Sequence, residues 1–326
     1  MPGSTTRPRV HMTSHPPSFP LEPDARTESD VWSEWLLRQR HGQDTAYQDV
    51  VQQAVRRYAN RLLDGAHLAA GQTLVDLGSG EGLIPFEAIR RIGPSLQVVL
   101  TDISAPMLRH AHGQAEALGV LAQCRFVQAP ADDLGALADG SADLLTSRSV
   151  LAYVDDKKAA LAECFRVLRP GGRLSLAEPV FQDDALAVCA LRQKLDALPP
   201  ASREPAEVLL HRWKSAQFPD TPEKMLADPL TRYTERHLLH LAQAVGFGEL
   251  HLELHIDQRP GDFSNWETFL DISPIPGRPT LREILAQQFS ADERTFLELS
   301  LRPSIEAGQL QTMDRMAYLQ ARKPLA

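Results

Sequence analysis

The chain has little of what several protein classes require. Its three cysteines, Cys124, Cys164 and Cys189, stand far apart in 326 residues. They have neither metal-site spacing nor the density of a disulfide framework, so the expectation is three buried thiols in a reducing cytoplasm, and no metal. No apolar run approaches the roughly 20 residues of a membrane helix, which argues against a membrane-embedded chain. The N-terminus carries Arg7 and Arg9 with no apolar stretch behind them, which is not the pattern of a signal peptide. There is no block of Lys or Arg, and the formal net charge is −8. A nucleic acid or other polyanionic partner is therefore not expected. No internal repeat is present. Residues 1–27 hold many Pro, Ser and Thr and few packing residues, and read as a mobile tail.

What is present is the stretch Thr73 to Gly82, TLVDLGSGEG. It reads as a buried strand that ends in a glycine-rich turn and runs into a helix, Leu83 to Ile92. A second apolar strand, Leu96 to Leu100, closes on Asp102. Strand, glycine turn, helix, strand and acid open a nucleotide-binding βαβ unit. The glycines let backbone approach a ligand where a Cβ would clash. The acid is placed to accept two ribose hydroxyls. The spacing is G-x-G-x-G, and Leu83 stands where a dinucleotide fingerprint has its third glycine. Asp76 precedes the turn and Glu81 lies in it. Two carboxylates repel a pyrophosphate but attract a sulfonium and an α-amino group. The pattern favours S-adenosylmethionine over NAD, and disfavours a nicotinamide dehydrogenase.

Helix Ser104 to Leu118, strand Gln123 to Gln128, strand Ala142 to Ser147 and helix Asp155 to Leu168 follow in order. Then come the turn Arg169 to Gly172 and strand Arg173 to Ala177. With these pieces in place the chain resembles the class I S-adenosylmethionine-dependent methyltransferases, in particular the small-molecule branch with the ubiquinone/menaquinone C-methyltransferases. The resemblance rests on VDLGSGEG at 75–82, LTDIS at 100–104, Ala131-Asp132, and RVLRPGGRLSLAEP at 166–179. It covers about residues 70 to 180. It implies an α/β fold with a Rossmann-like, seven-stranded, mostly parallel sheet.

Four regions are expected: a tail at 1–27, N-terminal helices over the cofactor cleft at 28–67, the cofactor-binding core at 68–180, and a helical cap or substrate region at 181–326. The N-terminal helices are read at Asp30 to Arg40, capped by Ser29 or Asp30, and at Thr45 to Leu63, capped by Asp44. After the core, helices are expected at Asp183 to Leu198 and Glu235 to Val245. The last sheet strands are expected at 249–256 and 313–322. The long insertion between them should form helices near Asn265 to Leu270, Thr280 to Gln288 and Ala291 to Ala307.

The resemblance also distributes roles. Asp76, Gly78, Ser79 and Gly80 would meet the methionine part of the cofactor and Asp102 its ribose. Ile103 and Met107 would flank the adenine, with the Ala131 backbone and Asp132 at its edge and Asp133 as the register alternative. Ser147 and Arg148, after strand four, sit where methyl and acceptor meet, and Arg148 is a candidate for the cofactor carboxylate or an anionic substrate. Tyr47 and His41 are candidates to approach the ligand from the N-terminal helices. The segment after strand four lacks the Asn/Asp-Pro-Pro-aromatic motif of base-amino methyltransferases, which disfavours nucleic acid N-methylation. The cysteine pattern argues against an arsenite methyltransferase. Catalytic candidates are Tyr153, His211 and Glu178, with His237 and His240 behind them. Trp213, Phe218, Trp266 and Phe269 would line an apolar acceptor pocket.

The expected function is methyl transfer to O, C or N of a small, largely apolar molecule, quinone-like or from secondary metabolism. Alternatives are a cyclisation or pericyclic reaction that keeps the methyl on the cofactor, and a non-catalytic cofactor-binding protein.

Overall fold

The computed structural model describes residues 29–261 and 265–325. The expected tail at 1–27 lies outside the described residues. Seven strands form one sheet in the order β3-β2-β1-β4-β5-β7-β6. They are β1 (Thr73–Leu77), β2 (Gln97–Asp102), β3 (Cys124–Gln128), β4 (Ala142–Arg148), β5 (Leu168–Pro179), β6 (Gly248–Pro260) and β7 (Gln311–Arg322). The first five pair in parallel, and β7 runs antiparallel between β5 and β6. The Rossmann-like sheet read from the sequence is therefore present, and the expected last two strands are its β6 and β7.

Helices cover both faces because parallel strands alternate apolar side chains to each side. On β1, Leu74 joins Ala59, Leu62 and Leu63 of α2 (Thr45–Ala66), with Ile84 and Ala88 of α3 (Leu83–Ile92) and Leu108 of α4 (Ala105–Ala117). Its neighbours Val75 and Leu77 point the other way, into a cluster with Leu161 and Cys164 of α5 (Lys157–Val167) and Leu238 of α9 (Glu235–Val245). Cys164 and Cys189 are buried, whereas Cys124 is only partly so, and all three are free thiols. No helix among the described residues is long and apolar enough to cross a membrane.

Several boundaries differ from the sequence reading, with α2 running on to Ala66 and β6 to Pro260. The first helix is shorter: α1 (Val31–Leu37), capped by the Asp30 side chain, gives way to a 3-10 turn at Gln39–His41. The Arg169–Gly172 turn lies inside β5 as a bulge. Ala142 and Leu144 of β4 face Leu168 and Arg173, with Gly171 at φ +75°. The stretch 201–232, left without elements in the sequence reading, holds α7 (Pro205–Ser215) and α8 (Pro222–Ala227) after α6 (Gln182–Asp196).

The insertion between β6 and β7 folds into α10 (Trp266–Asp271), α11 (Leu281–Gln288) and α12 (Ala291–Glu306). Their N-caps are Asn265, Thr280 and Ser290, the last two in capping boxes with Glu283 and Glu293. These helices share an apolar cluster with α7 that is separate from the two sheet cores. That cluster sits beside the carboxyl ends of the strands.

Candidate functional site

A cavity of about 1160 Å³ opens at the carboxyl ends of β1 to β5, where open α/β sheets hold ligands. The glycine turn after β1 forms part of its floor. Gly78 and Gly80 have φ of +61° and +52°, which L side chains rarely adopt. A Cβ on Gly78 would stand 2.3 Å from Val150 Cγ2, and one on Gly80 would stand 3.5 Å from Leu36 Cδ1 of α1. The turn is thus wedged between the loop after β4 and the first helix.

Hydrogen bonds fix it in place. The Ser79 N–H donates to Thr101 O at 2.8 Å and the Ser79 hydroxyl to Asp76 O at 2.9 Å. Asp102 accepts the Gly80 N–H at 2.8 Å and the Ser104 N–H at 2.9 Å. A carboxylate offers about four lone-pair sites, so Asp102 keeps acceptor capacity toward the cavity that it lines. Asp76 accepts from the Thr146 hydroxyl at 2.6 Å. Burial pushes its carboxyl up to about 7, against the pull of the Thr146 and Ser79 hydroxyls. Burial also raises Asp102.

Two arginines face these acids. Arg148, at the end of β4, and Arg40, in the 3-10 turn after α1, both line the cavity. Burial and the neighbouring Arg148 charge lower Arg40 to about 10, while Glu81 pulls the other way. Arg40 Nε is buried without a hydrogen-bond partner among the described residues. Burial lowers Arg148 too, again with Glu81 as the leading compensating charge. Four acids, Asp76, Glu81, Asp102 and Asp132, thus line this part of the cavity beside two arginines. Such a balance suits a ligand that carries a net positive charge and one carboxylate.

The same cavity extends under the helical additions. Phe181, Leu210, Trp213, Phe218, Phe269 and Leu301 give this part an apolar wall. Trp32 of α1 meets Tyr153 edge-on at 5.2 Å, and both line the cavity between the two parts. Ser149, also in the lining, holds φ at +56° and donates its N–H to Ala177 O. Strained non-glycine backbone of this kind concentrates at functional sites.

Most of the residues picked from the sequence reach the cavity. Asp76, Gly78, Ser79, Gly80, Asp102, Ile103, Ala131, Asp132 and Arg148 line it, as do Tyr47, Tyr153, Trp213, Phe218 and Phe269. Others do not. Met107 is fully buried in α4. Ser147 is fully buried and turns to Glu178 at 3.4 Å. Glu178 is itself fully buried and accepts the N–H groups of Val150 and Ala152 at 3.0 and 3.1 Å. It holds the loop after β4 in place rather than facing a substrate.

His211 stands outside the lining, with Nε2 3.4 Å from Asp220, which also pairs with Arg192 and Lys224. His237 closes the capping box of α9, and His240 is exposed on that helix. His41 is buried with Nε2 3.0 Å from Leu37 O. Trp266 is 3% exposed within the helical cluster and does not line the cavity. Asp133 is exposed and bonds the Gly135 N–H, which leaves Asp132 as the acid at that edge. The sequence reading passed over Arg40, Trp32, Ser149 and Lys214. Arg40 had a signal, one of two arginines with Arg38 at the end of the first amphipathic helix, but its direction depends on the 3-10 turn.

Residues 75–176 match the family described as a methyltransferase domain. The ubiquinone/menaquinone biosynthesis C-methyltransferase UbiE of Psychromonas ingrahamii is 37% identical over 131 residues, covering 40% of this chain and 52% of that protein. Its counterpart in Pasteurella multocida is 31% identical over 175 residues, covering 53% and 64%. The chain thus spans about half to two thirds of the length of these curated relatives. The YcgJ protein of Bacillus subtilis shares the fold, with a TM-score of 0.50 at 18% identity over 83% of this chain and 100% of that one.

Proposed function

We propose that this chain, whose residues 75–176 match a methyltransferase domain, moves the methyl group of S-adenosyl-L-methionine to an O, C or N atom of a small, largely apolar molecule. The observation that carries this reading is one continuous cavity that joins an acid-lined glycine turn to an apolar chamber. The glycine cradle and the charge balance both fit the cofactor. Asp102 would accept the ribose hydroxyls, and Asp76 and Glu81 would face the cationic end. Arg40, with its unpartnered Nε, and Arg148 would hold the carboxylate. Ile103, Ala131 and Asp132 would border the adenine. The bound cofactor supplies an electrophilic methyl on a sulfonium.

The protein's part is alignment and exclusion of water. Trp32 and Tyr153 form the wall between the two ends of the cavity. Burial holds the Tyr153 phenol well above its usual range, so at neutral pH it stays protonated. It can donate to an acceptor oxygen and does not take a proton. His211 and Glu178 lie outside the cavity lining, so neither is assigned as a base. The apolar lining and the quinone-pathway enzymes among the relatives favour a quinone-like or secondary-metabolite acceptor over a nucleic acid. The three free thiols fit a reducing, cytoplasmic setting.

Calorimetric titration with S-adenosylmethionine, S-adenosylhomocysteine and NAD tests the first half. Micromolar binding of the first two and none of NAD is expected, and absence of binding overturns the reading. Incubation with a panel of quinols and phenols under mass detection tests the second half. A product heavier by one methyl group supports transfer, and a product of unchanged mass replaces it with a non-methylating reaction.

A further inference from the structure

Lys214 closes the last turn of α7 and lines the apolar part of the cavity beside Trp213, Phe269 and Leu301. Among the described residues its Nζ makes no hydrogen bond and no ion pair. Its close partner is the Trp213 ring, with the centroid 4.2 Å away. The acid that acts on it through space is Asp184, whose Oδ2 is already 3.4 Å from Arg315. Arg315 also pairs with Asp183 at 2.9 Å, and Arg259, the other basic residue at this end, pairs with Asp314 at 3.1 Å. Lys214 is therefore the cation of this chamber that is left to a ligand.

An ammonium in an apolar wall is costly unless a partner satisfies it, and burial does lower its pKa. The Trp213 ring lies against the ammonium itself but offers no lone-pair acceptor to its three N–H donors.

We propose that Lys214 is the specificity-determining residue of the acceptor chamber and binds an ionised oxygen of the acceptor, a carboxylate or a phenolate. The substrate class is then an apolar molecule with one acidic oxygen. This inference rests on the chamber being the acceptor site of the proposed transferase. It does not require that methyl transfer be observed.

The test is calorimetric binding to the full chain saturated with S-adenosylhomocysteine, at mildly alkaline pH. Two matched pairs serve as probes: 2-naphthoate against 2-naphthamide for the carboxylate source, and 4-nitrophenolate against 4-nitroanisole for the phenolate source. In the wild type the anion of at least one pair should bind about tenfold tighter than its neutral partner, the size of a charge-assisted hydrogen bond. Lys214→Met should bring that ratio to about one, and Lys214→Arg should keep most of it. S-adenosylhomocysteine affinity unchanged in both variants shows that they are folded. Equal binding within both pairs, or a preference that survives in Lys214→Met, overturns the proposal. If the wild type binds no S-adenosylhomocysteine, the cofactor reading fails, and the same probe ratios measured on the free chain still decide the role of Lys214.

Discussion

The Asp102 carboxylate accepts the backbone N–H of Gly80 at 2.8 Å, across 22 positions of sequence. This bond ties the end of β2 to the glycine turn after β1, so the acid that would take the ribose also shapes the floor beneath it. Asp102→Ala should weaken S-adenosylhomocysteine binding by tenfold or more. It removes charged hydrogen bonds worth about 1.5–3 kcal/mol each and frees the turn. Calorimetry checks this, and wild-type affinity in the variant would show that the acid serves the turn alone.

Asp76 gives the site a dependence on pH. Its folded pKa, about 7, lies above the ordinary 3.8. The stability it contributes is therefore fully present below about pH 4 and is lost as pH rises through 7. A cationic ligand favours the ionised form, so affinity for S-adenosylmethionine should climb as pH rises through the same range. Asp76→Asn should flatten both trends. Thermal melts and titrations between pH 5 and about 8.5 would show them. A wild-type profile as flat as the variant's would remove Asp76 from the cationic end of the ligand.

Gly78→Ala isolates the turn from the charges. The new Cβ would sit 2.3 Å from Val150 Cγ2 with φ held at +61°. The left-handed conformation alone costs about 1–2 kcal/mol, and Val150 must move from the cavity wall. Cofactor affinity should fall at least tenfold while the melting temperature drops by only a few degrees. Loss of stability without loss of affinity would place the turn outside the binding site.

The core was legible because its signals are local. Continuous apolar runs of strands buried on both faces, a glycine turn and Asp102 all lie in short windows, and caps such as Thr234 and Thr280 mark their helices directly. The partition of side chains at the site was not legible. Glu178 ends a strand beside the cavity, yet its oxygens are taken by Val150 and Ala152 amides, which come from a loop 26 to 28 positions away. His211 and Lys214 are three residues apart on α7 and so neighbours on its surface. Yet one meets Asp220 and the other meets the cavity. Periodicity finds such a helix but does not say which of two adjacent polar residues turns to a ligand.

Trp266 and Phe269 carry the sharpest consequence of that partition. Both were read from the sequence as acceptor contacts, and they stack with ring centroids 6.0 Å apart. Phe269 lines the cavity, whereas Trp266 is 3% exposed among Leu281, Ile284 and Phe289 and their neighbours in the helical cluster. Truncation should therefore separate stability from recognition. Trp266→Ala empties a packed site and should cost about 3–5 kcal/mol, read as an earlier urea midpoint with cofactor affinity kept. Phe269→Ala removes a wall of the chamber and should weaken binding of an apolar probe such as 2-naphthamide more than it lowers the urea midpoint. If Trp266→Ala instead left stability intact and selectively lost the probe, the cluster would be part of the acceptor site. The boundary drawn here between cap core and chamber would then move inward by one helix.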